Sequence, residues 1–239
     1  MDITLYTSMR KAAVTLAAAI TLAMATPATA ADYELNVKPF EELQVVNGIN
    51  VTYRCNTDSA GYVRFSCDPD ISSMVLFSNN KNKLKIELSD EITDAQRQRL
   101  PTVTVFSAFL SKVENSGDST VDTPSPAATF KARIVGNGTL IARGLHATTV
   151  EGKIATGHGH LVLAGEAQTV KLNNTGTGTI EAGTIKATTG RCSIYGTGSV
   201  DCWVTNELTV MGLGSGKIYL KGSPTTKNRT LGIKVIPVQ

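Results

Sequence analysis

Between residues 114 and 222 apolar side chains fall on alternate positions, and glycine interrupts the alternation at regular intervals. Even positions read Cys192, Ile194, Gly196, Gly198, Val200, Cys202 and Val204, then Leu208, Val210, Gly212, Gly214, Gly216, Ile218 and Leu220. A period of two predicts strands with one buried face. The phrase Gly-x-Gly-x-aliphatic recurs at Gly136 and Gly138, Gly157 and Gly159, Gly176 and Gly178, Gly196 and Gly198, and Gly214 and Gly216. A degenerate copy places Gly117, Ser119 and Val121 in the same three positions, and successive copies are 19, 21, 19, 20 and 18 residues apart. A fixed period near 20 predicts stacked structural repeats. Each Gly-x-Gly is expected to be a corner, where an inward side chain has no room or the backbone turns left-handed. Gly144, Gly165, Gly183 and Gly222 mark a second corner half a period on, so each coil reads as two strands and two corners. In the second copy Val150 and Ile154 are even but Leu161 and Leu163 are odd; with the longest step, this predicts one extra residue as a β-bulge. Helices are excluded, because each interior glycine costs about 1 kcal/mol there.

The alternation extends upstream with a different rhythm. Strands are predicted for Phe40 to Val46, and around Val51, Tyr53 and Cys55, around Val63, Phe65 and Cys67, around Leu84, Ile86 and Leu88, and from Pro101 to Val105. Ile71 to Phe77 reads as a strand or short helical turn, and Asp90 to Leu100 as a helix or long loop. Thr123 to Pro126 reads as a surface excursion, since the repeat resumes on schedule. The expected architecture is all-β: a β region over 31–105, then a parallel β-helix or β-solenoid of about six coils over 106–239. Residues 1–30 read as a secretory signal peptide. Arg10 and Lys11 precede an apolar run from Ala12 to Met24, and Ala28-Thr-Ala30 offers a small-x-small cleavage site. The run is too short to span a bilayer, and no later segment reads as transmembrane. An exported protein is expected, periplasmic, at the cell surface or secreted.

Without the leader, 21 basic residues face 19 acidic ones, too even a balance to argue for nucleic acid. The three histidines are His146, His158 and His160; the last two point outward together, and without a third ligand at suitable spacing no metal or cofactor is expected. Threonines at 139, 175, 177, 179 and 197 form an exposed ladder interrupted by His158, His160, Ser215 and Lys217, which argues against a regular lattice-binding face. The repeats offer the carboxylates Glu151, Glu166, Glu181, Asp201 and Glu207. Glu151, Glu166 and Glu181 sit at different points of their coils, so no catalytic residues are assigned. The Gly-x-Gly copies are not dinucleotide fingerprints, because no helix follows them. Four cysteines in an exported chain allow three pairings. Cys55–Cys67 and Cys192–Cys202 are the preferred bridges, the second only if the coil is flattened; the alternative is four reduced, buried thiols.

Phe40, Gly48-Ile-Asn-Val51, Pro101-Thr-Val-Thr-Val105, Leu110-Ser-Lys-Val113, Gly117-Asp118 and the five later Gly-x-Gly copies together resemble a family of Bacteroidetes secreted proteins named for an auto-transporter adhesin "head GIN domain". The resemblance covers nearly all of the chain after the leader. It implies a right-handed β-helical fold, an envelope location and no known catalytic residues. Nothing in this chain could form an outer-membrane translocator barrel. The role expected is a non-catalytic, adhesion-like binding module of the envelope, with a glycan or a surface protein as partner. A carbohydrate-active enzyme on the same scaffold, lyase-like or hydrolase-like, is the alternative; carboxylates gathered with a lysine or arginine on one exposed sheet would favour it.

Overall fold

A computed structural model describes residues 30–124 and 127–238. The leader expected over 1–30 therefore lies, but for its last residue, outside the described residues, as do Ser125 and Pro126 of the expected excursion. The first strands are β1 (Ala31–Asn36), β2 (Glu42–Val46), β3 (Val51–Cys55), β4 (Tyr62–Cys67), β5 (Val75–Asn80), β6 (Lys83–Leu88) and β7 (Val103–Ser107). Two one-turn helices interrupt them, α1 (Pro69–Ser72) and α2 (Asp94–Arg97). Then come β8 (Lys112–Ser116), β9 (Thr120–Pro124), β10 (Thr129–Val135), β11 (Thr139–Thr156), β12 (His160–Asn174), β13 (Thr179–Gly196), β14 (Ser199–Gly214), β15 (Lys217–Lys221), β16 (Thr225–Leu231) and β17 (Lys234–Val238). All join one continuous hydrogen-bonded sheet curled into a β-solenoid. Six coils follow one another from β8 to β15.

The alternation becomes columns. On one face the inward residues stack as Val103, Val51, Val121, Leu140, Leu161, Ile180, Val200, Ile218 and Val235, each one rung from the next. Apart from the terminal Val235, all of these are buried. Such a column gives every aliphatic side chain a partner above and below, which no single coil could supply. Each coil has three segments rather than the two expected. Leu140 and Ala142, then Leu145 and Ala147, then Val150 and Ile154 point inward, and the ladder to β12 shifts register between Ala142 and Leu145. The second corner is thus a bend inside one long strand. The extra residue of the second copy is Ala155, bulged between the pairs Ile134–Ile154 and Val135–Thr156.

The Gly-Ile-Asn step acquires a physical meaning. Asn47 and Gly48 both have left-handed backbone, φ 65° and 86°, and turn the chain between β2 and β3. Ile49 is fully buried, and the Asn50 side chain accepts a hydrogen bond at 2.9 Å from the Thr120 N–H, the start of β9 in the neighbouring coil.

The layers are not in chain order. β2 pairs with β6 on one side and β8 on the other; β3 likewise lies between β7 and β9, all parallel. The chain lays down the β2/β3 coil, crosses to build β6/β7 beyond it, and returns to continue with β8/β9. Beyond β6/β7 the pairing turns antiparallel: β4 on β7, β5 on β6 and β1 on β4. These strands close the bore over Val63, Phe65, Ile71, Val75 and Ile92, with Phe65 stacked between Tyr33 and Phe77 at 5.2 and 5.7 Å. The polar stretch expected as helix or loop contains α2, held by a capping box: the Gln96 N–H donates to Thr93 Oγ1 and the Thr93 N–H to Gln96 Oε1.

At the other end none of the described residues is laid over the last coil. On its β16 segment the inward positions are polar: Thr226, Asn228 and Thr230 continue the columns of Leu208, Val210 and Gly212, while Ile233 and Val235 keep the β17 side apolar. Pro237 sits in the outermost strand, β17, and removes a ladder donor there.

Candidate functional site

The expected corners occupy the same turn of each coil. Backbones come close at both glycines of a pair: a Cβ at Gly178 would collide with the Gly159 carbonyl oxygen, one at Gly198 with the Asn174 amide and the Gly178 carbonyl, and one at Gly157 or Gly214 with the carbonyl of Gly136 or Gly196. Two buried asparagines, absent from the sequence reading, hold these corners. Asn174 Nδ2 donates to the carbonyls of Gly178 (2.8 Å) and Ser199 (3.1 Å), and Asn115 Nδ2 to those of Ser119 (2.7 Å) and Thr139 (3.0 Å). Each stands two residues before the first glycine of its copy, a position that is Ile134, Ala155, Ile194 or Gly212 in the other copies, and that polar exception is the signal that could have found them.

The cysteines are not bridged; all four are free thiols. Cys55 and Cys67 cannot meet, because β7 runs between their strands. Cys55 pairs with Ser107 at one end of β7, whereas β4 leaves β7 at Arg64 and carries Cys67 toward the other. Burial and the nearby charges of Asp68 and Asp70 push the Cys67 thiol up to about 11. Cys192 and Cys202 do face each other across the core, but as a hydrogen-bonded thiol pair. That bond, burial and the field of Cys202 raise the Cys192 thiol well above its usual range and leave it inert.

The outward residues group by rung. His160 stacks on Thr139 and Thr179, with Ser199 and Lys217 continuing the row. Its Nε2 lies 2.9 Å from Glu181 Oε1 without forming a hydrogen bond to it. His158 bonds to Thr177 through Nδ1, and His146 stacks beside Glu166. Among the described residues no group of three or more His, Cys, Asp and Glu converges to hold a metal.

Two carboxylates do come together. Glu181 and Asp201 are direct neighbours on β13 and β14, with Tyr219 on the next rung. Burial, then the charge of Glu181, raises the Asp201 carboxyl above its ordinary value. Glu151, on the opposite face, contrasts with it. Burial opposes its charge too, but Lys171 at 3.2 Å and Lys131 at 3.4 Å outweigh that and hold its carboxyl low. Beside Asp201 the ladder skips from Ala182–Cys202 to Lys186–Trp203, so Gly183 is left without a partner or a side chain. The gap opens a shallow cleft of about 320 Å³ lined by Gly183, Asp201, Cys202, Tyr219, Lys221 and Val238. At its rim is Trp203, the single tryptophan, with Lys221 Nζ 4.6 Å and Lys186 Nζ 5.7 Å from the ring centroid. An aromatic face, two carboxylates and two ammonium groups can stack a sugar ring and bond its hydroxyls. Glu181 and Asp201 are one 20-residue period apart, so the repeat itself contained this pairing.

A family model described as "Putative auto-transporter adhesin, head GIN domain" matches residues 39–224. No curated protein matches the sequence. Among solved structures, a "putative adhesin" from Bacteroides fragilis NCTC 9343 superposes with a TM-score of 0.73 at 19% identity, covering 88% of this chain and 97% of its own. A "putative lipid binding protein" from Parabacteroides distasonis ATCC 8503 gives 0.72 at 17% identity, with 88% and 97% covered. A "putative adhesin" from Parabacteroides merdae ATCC 43184 gives 0.64 at 19% identity, with 88% and 96% covered. At such identities these likenesses establish the fold.

Proposed function

This chain belongs to the family described as "Putative auto-transporter adhesin, head GIN domain", and from that premise we propose that it is a non-catalytic binding module of the cell envelope whose ligand is a glycan. The family and the neighbours named as adhesins support an exported, adhesion-like protein. No helix among the described residues is long and apolar enough to cross a membrane. The leader expected over 1–30 carries the protein out, to the periplasm, the surface or the medium. The observation that carries the glycan reading is Trp203 set between two lysines at the edge of the cleft beside Asp201. The fold uses aromatic side chains for its N-terminal core; a half-buried tryptophan on an outer face has no packing duty of that kind. The test is a glycan array probed with the exported protein and with Trp203→Ala. Hits that disappear in the variant, at unchanged melting temperature, support the reading. Hits retained by the variant, or no hits, overturn it.

One observation favours the enzyme alternative: the stacked Glu181 and Asp201, of which Asp201 is held toward its protonated form. Paired carboxylates in unlike environments are the arrangement of a glycosidic acid and base. Product release from an array hit, abolished by Asp201→Asn while binding persists, would move the protein into that class.

A further inference from the structure

A second surface lies across the coil from the cleft. Tyr195, Leu213 and Leu231 occupy the same outward position on three successive rungs, β13, β14 and β16. They are 48, 57 and 71% exposed, so exposure increases toward the open end. Each stands immediately before a corner glycine, Gly196, Gly214 or Gly232, so the column forms a convex edge rather than a groove. The residue preceding the same corner one coil earlier is Thr175, so the apolar edge is confined to the last three rungs. Half-buried Met211 widens it on the flank. Behind it, on the same outer face, stand Arg191, Lys227 and Arg229, all exposed. The Arg191 guanidinium reaches the Met211 sulfur, and the carboxylate nearest Lys227, that of Glu207, is 3.9 Å away. Beyond Glu207 the sequence contains no acidic residue, whereas Lys217, Lys221, Lys227, Arg229 and Lys234 follow it.

We propose that this edge docks the solenoid on an anionic lipid surface, with Tyr195, Leu213 and Leu231 entering the headgroup layer and Arg191, Lys227 and Arg229 pairing with lipid phosphates. Charge chooses the occupant. A second copy would bring its own cations against these. A convex ridge also offers no pocket for a peptide, whereas a bilayer interface deforms around it. Apolar side chains flanked by long cationic ones are the arrangement that inserts shallowly into such an interface. The surface is separate from the glycan cleft, so the two readings stand or fall independently.

The test is co-sedimentation of the exported protein, leader removed by its host, with vesicles of phosphatidylcholine alone or with about one-third phosphatidylglycerol. Binding is expected to the anionic vesicles and not the neutral ones, and to weaken in high salt. Leu213→Gln with Leu231→Gln should lower affinity about tenfold or more, and Lys227→Gln with Arg229→Gln should remove the preference for anionic lipid, both at unchanged melting temperature. Leu76→Gln, at an exposed leucine of the far end, should bind as the parent does. Absence of vesicle binding, equal binding to neutral vesicles, or a double leucine variant that binds normally overturns the proposal. So does a mass in solution that falls when the leucines are replaced, which would make the edge a contact between copies.

Discussion

The two ends of the solenoid solve one problem in opposite ways. A stack of coils exposes an apolar cross-section and two unpaired strand edges wherever it stops, a template for further stacking. The N-terminal end is covered: three of its strands, two helical turns and a triple aromatic stack lie over the bore. The C-terminal end is instead rewritten in place, by Thr226, Asn228 and Thr230 at inward positions and Pro237 at the edge. The first solution adds core and stability; the second only withdraws the reward for further stacking. A lid needs tens of residues, a polar rung only three.

Substitutions can break or sharpen this comparison, and an interior rung sets the scale. Gly178→Val drives a side chain into the Gly159 carbonyl, two backbones that cannot separate without opening the ladder. A loss of about 4 kcal/mol or more is expected in urea unfolding, against under about 0.5 for the outward Thr177→Val; equal losses would refute the inward and outward assignment. At the covered end, Ile71→Ala removes a fully buried side chain and should cost about 2–5 kcal/mol. Hydrogen exchange should show the loss concentrated in β2 to β7, with β12 to β14 little changed, since each coil touches only its neighbours. At the rewritten end, Thr226→Val, Asn228→Val and Thr230→Val together should change monomer stability by under about 1 kcal/mol, yet raise the mass measured by light scattering. An unchanged mass would show that the polar rung is not what stops stacking. The smallest effect is expected at Asp201. Its folded pKa is raised, so the ionised carboxylate weighs against the fold above that pKa, and the penalty fades as pH falls through it. Asp201→Asn should therefore melt slightly higher than the parent at neutral pH, with the difference closing in acid.

What the sequence discloses follows the range of the interactions. The columns from Val121 to Ile218 were legible because alternation and glycine spacing are local, and stacking simply repeats them. The bulge at Ala155 was legible as a parity change with one extra residue. The three-segment coil was not, because its second bend leaves the strand unbroken and only shifts the register. The layer order was hidden because β2 pairs with β6 and β8, far along the chain, and no local pattern ranks those partners. The same blindness produced the Cys55–Cys67 bridge: the two lie close in sequence, but β7 intervenes between their strands. Glu181 and Asp201 were within reach of the period, whereas Trp203 at the cleft needed the skipped register at Gly183, which no spacing rule announces.

The out-of-order layers also set a timetable. The coil carrying the Gly-Ile-Asn step is the first made as the chain emerges, yet it ends with coils on both sides. Its partners arrive late: the contact from Asn50 to Thr120 spans 70 residues. Until then that coil has two open edges and no stable form, since long loops must close before any pairing is rewarded. Folding is therefore deferred until about half the chain has appeared, and the rest can then wind on coil by coil. A protein translocated N-terminus first remains threadable through its early stages and gains its shape in the compartment where it arrives.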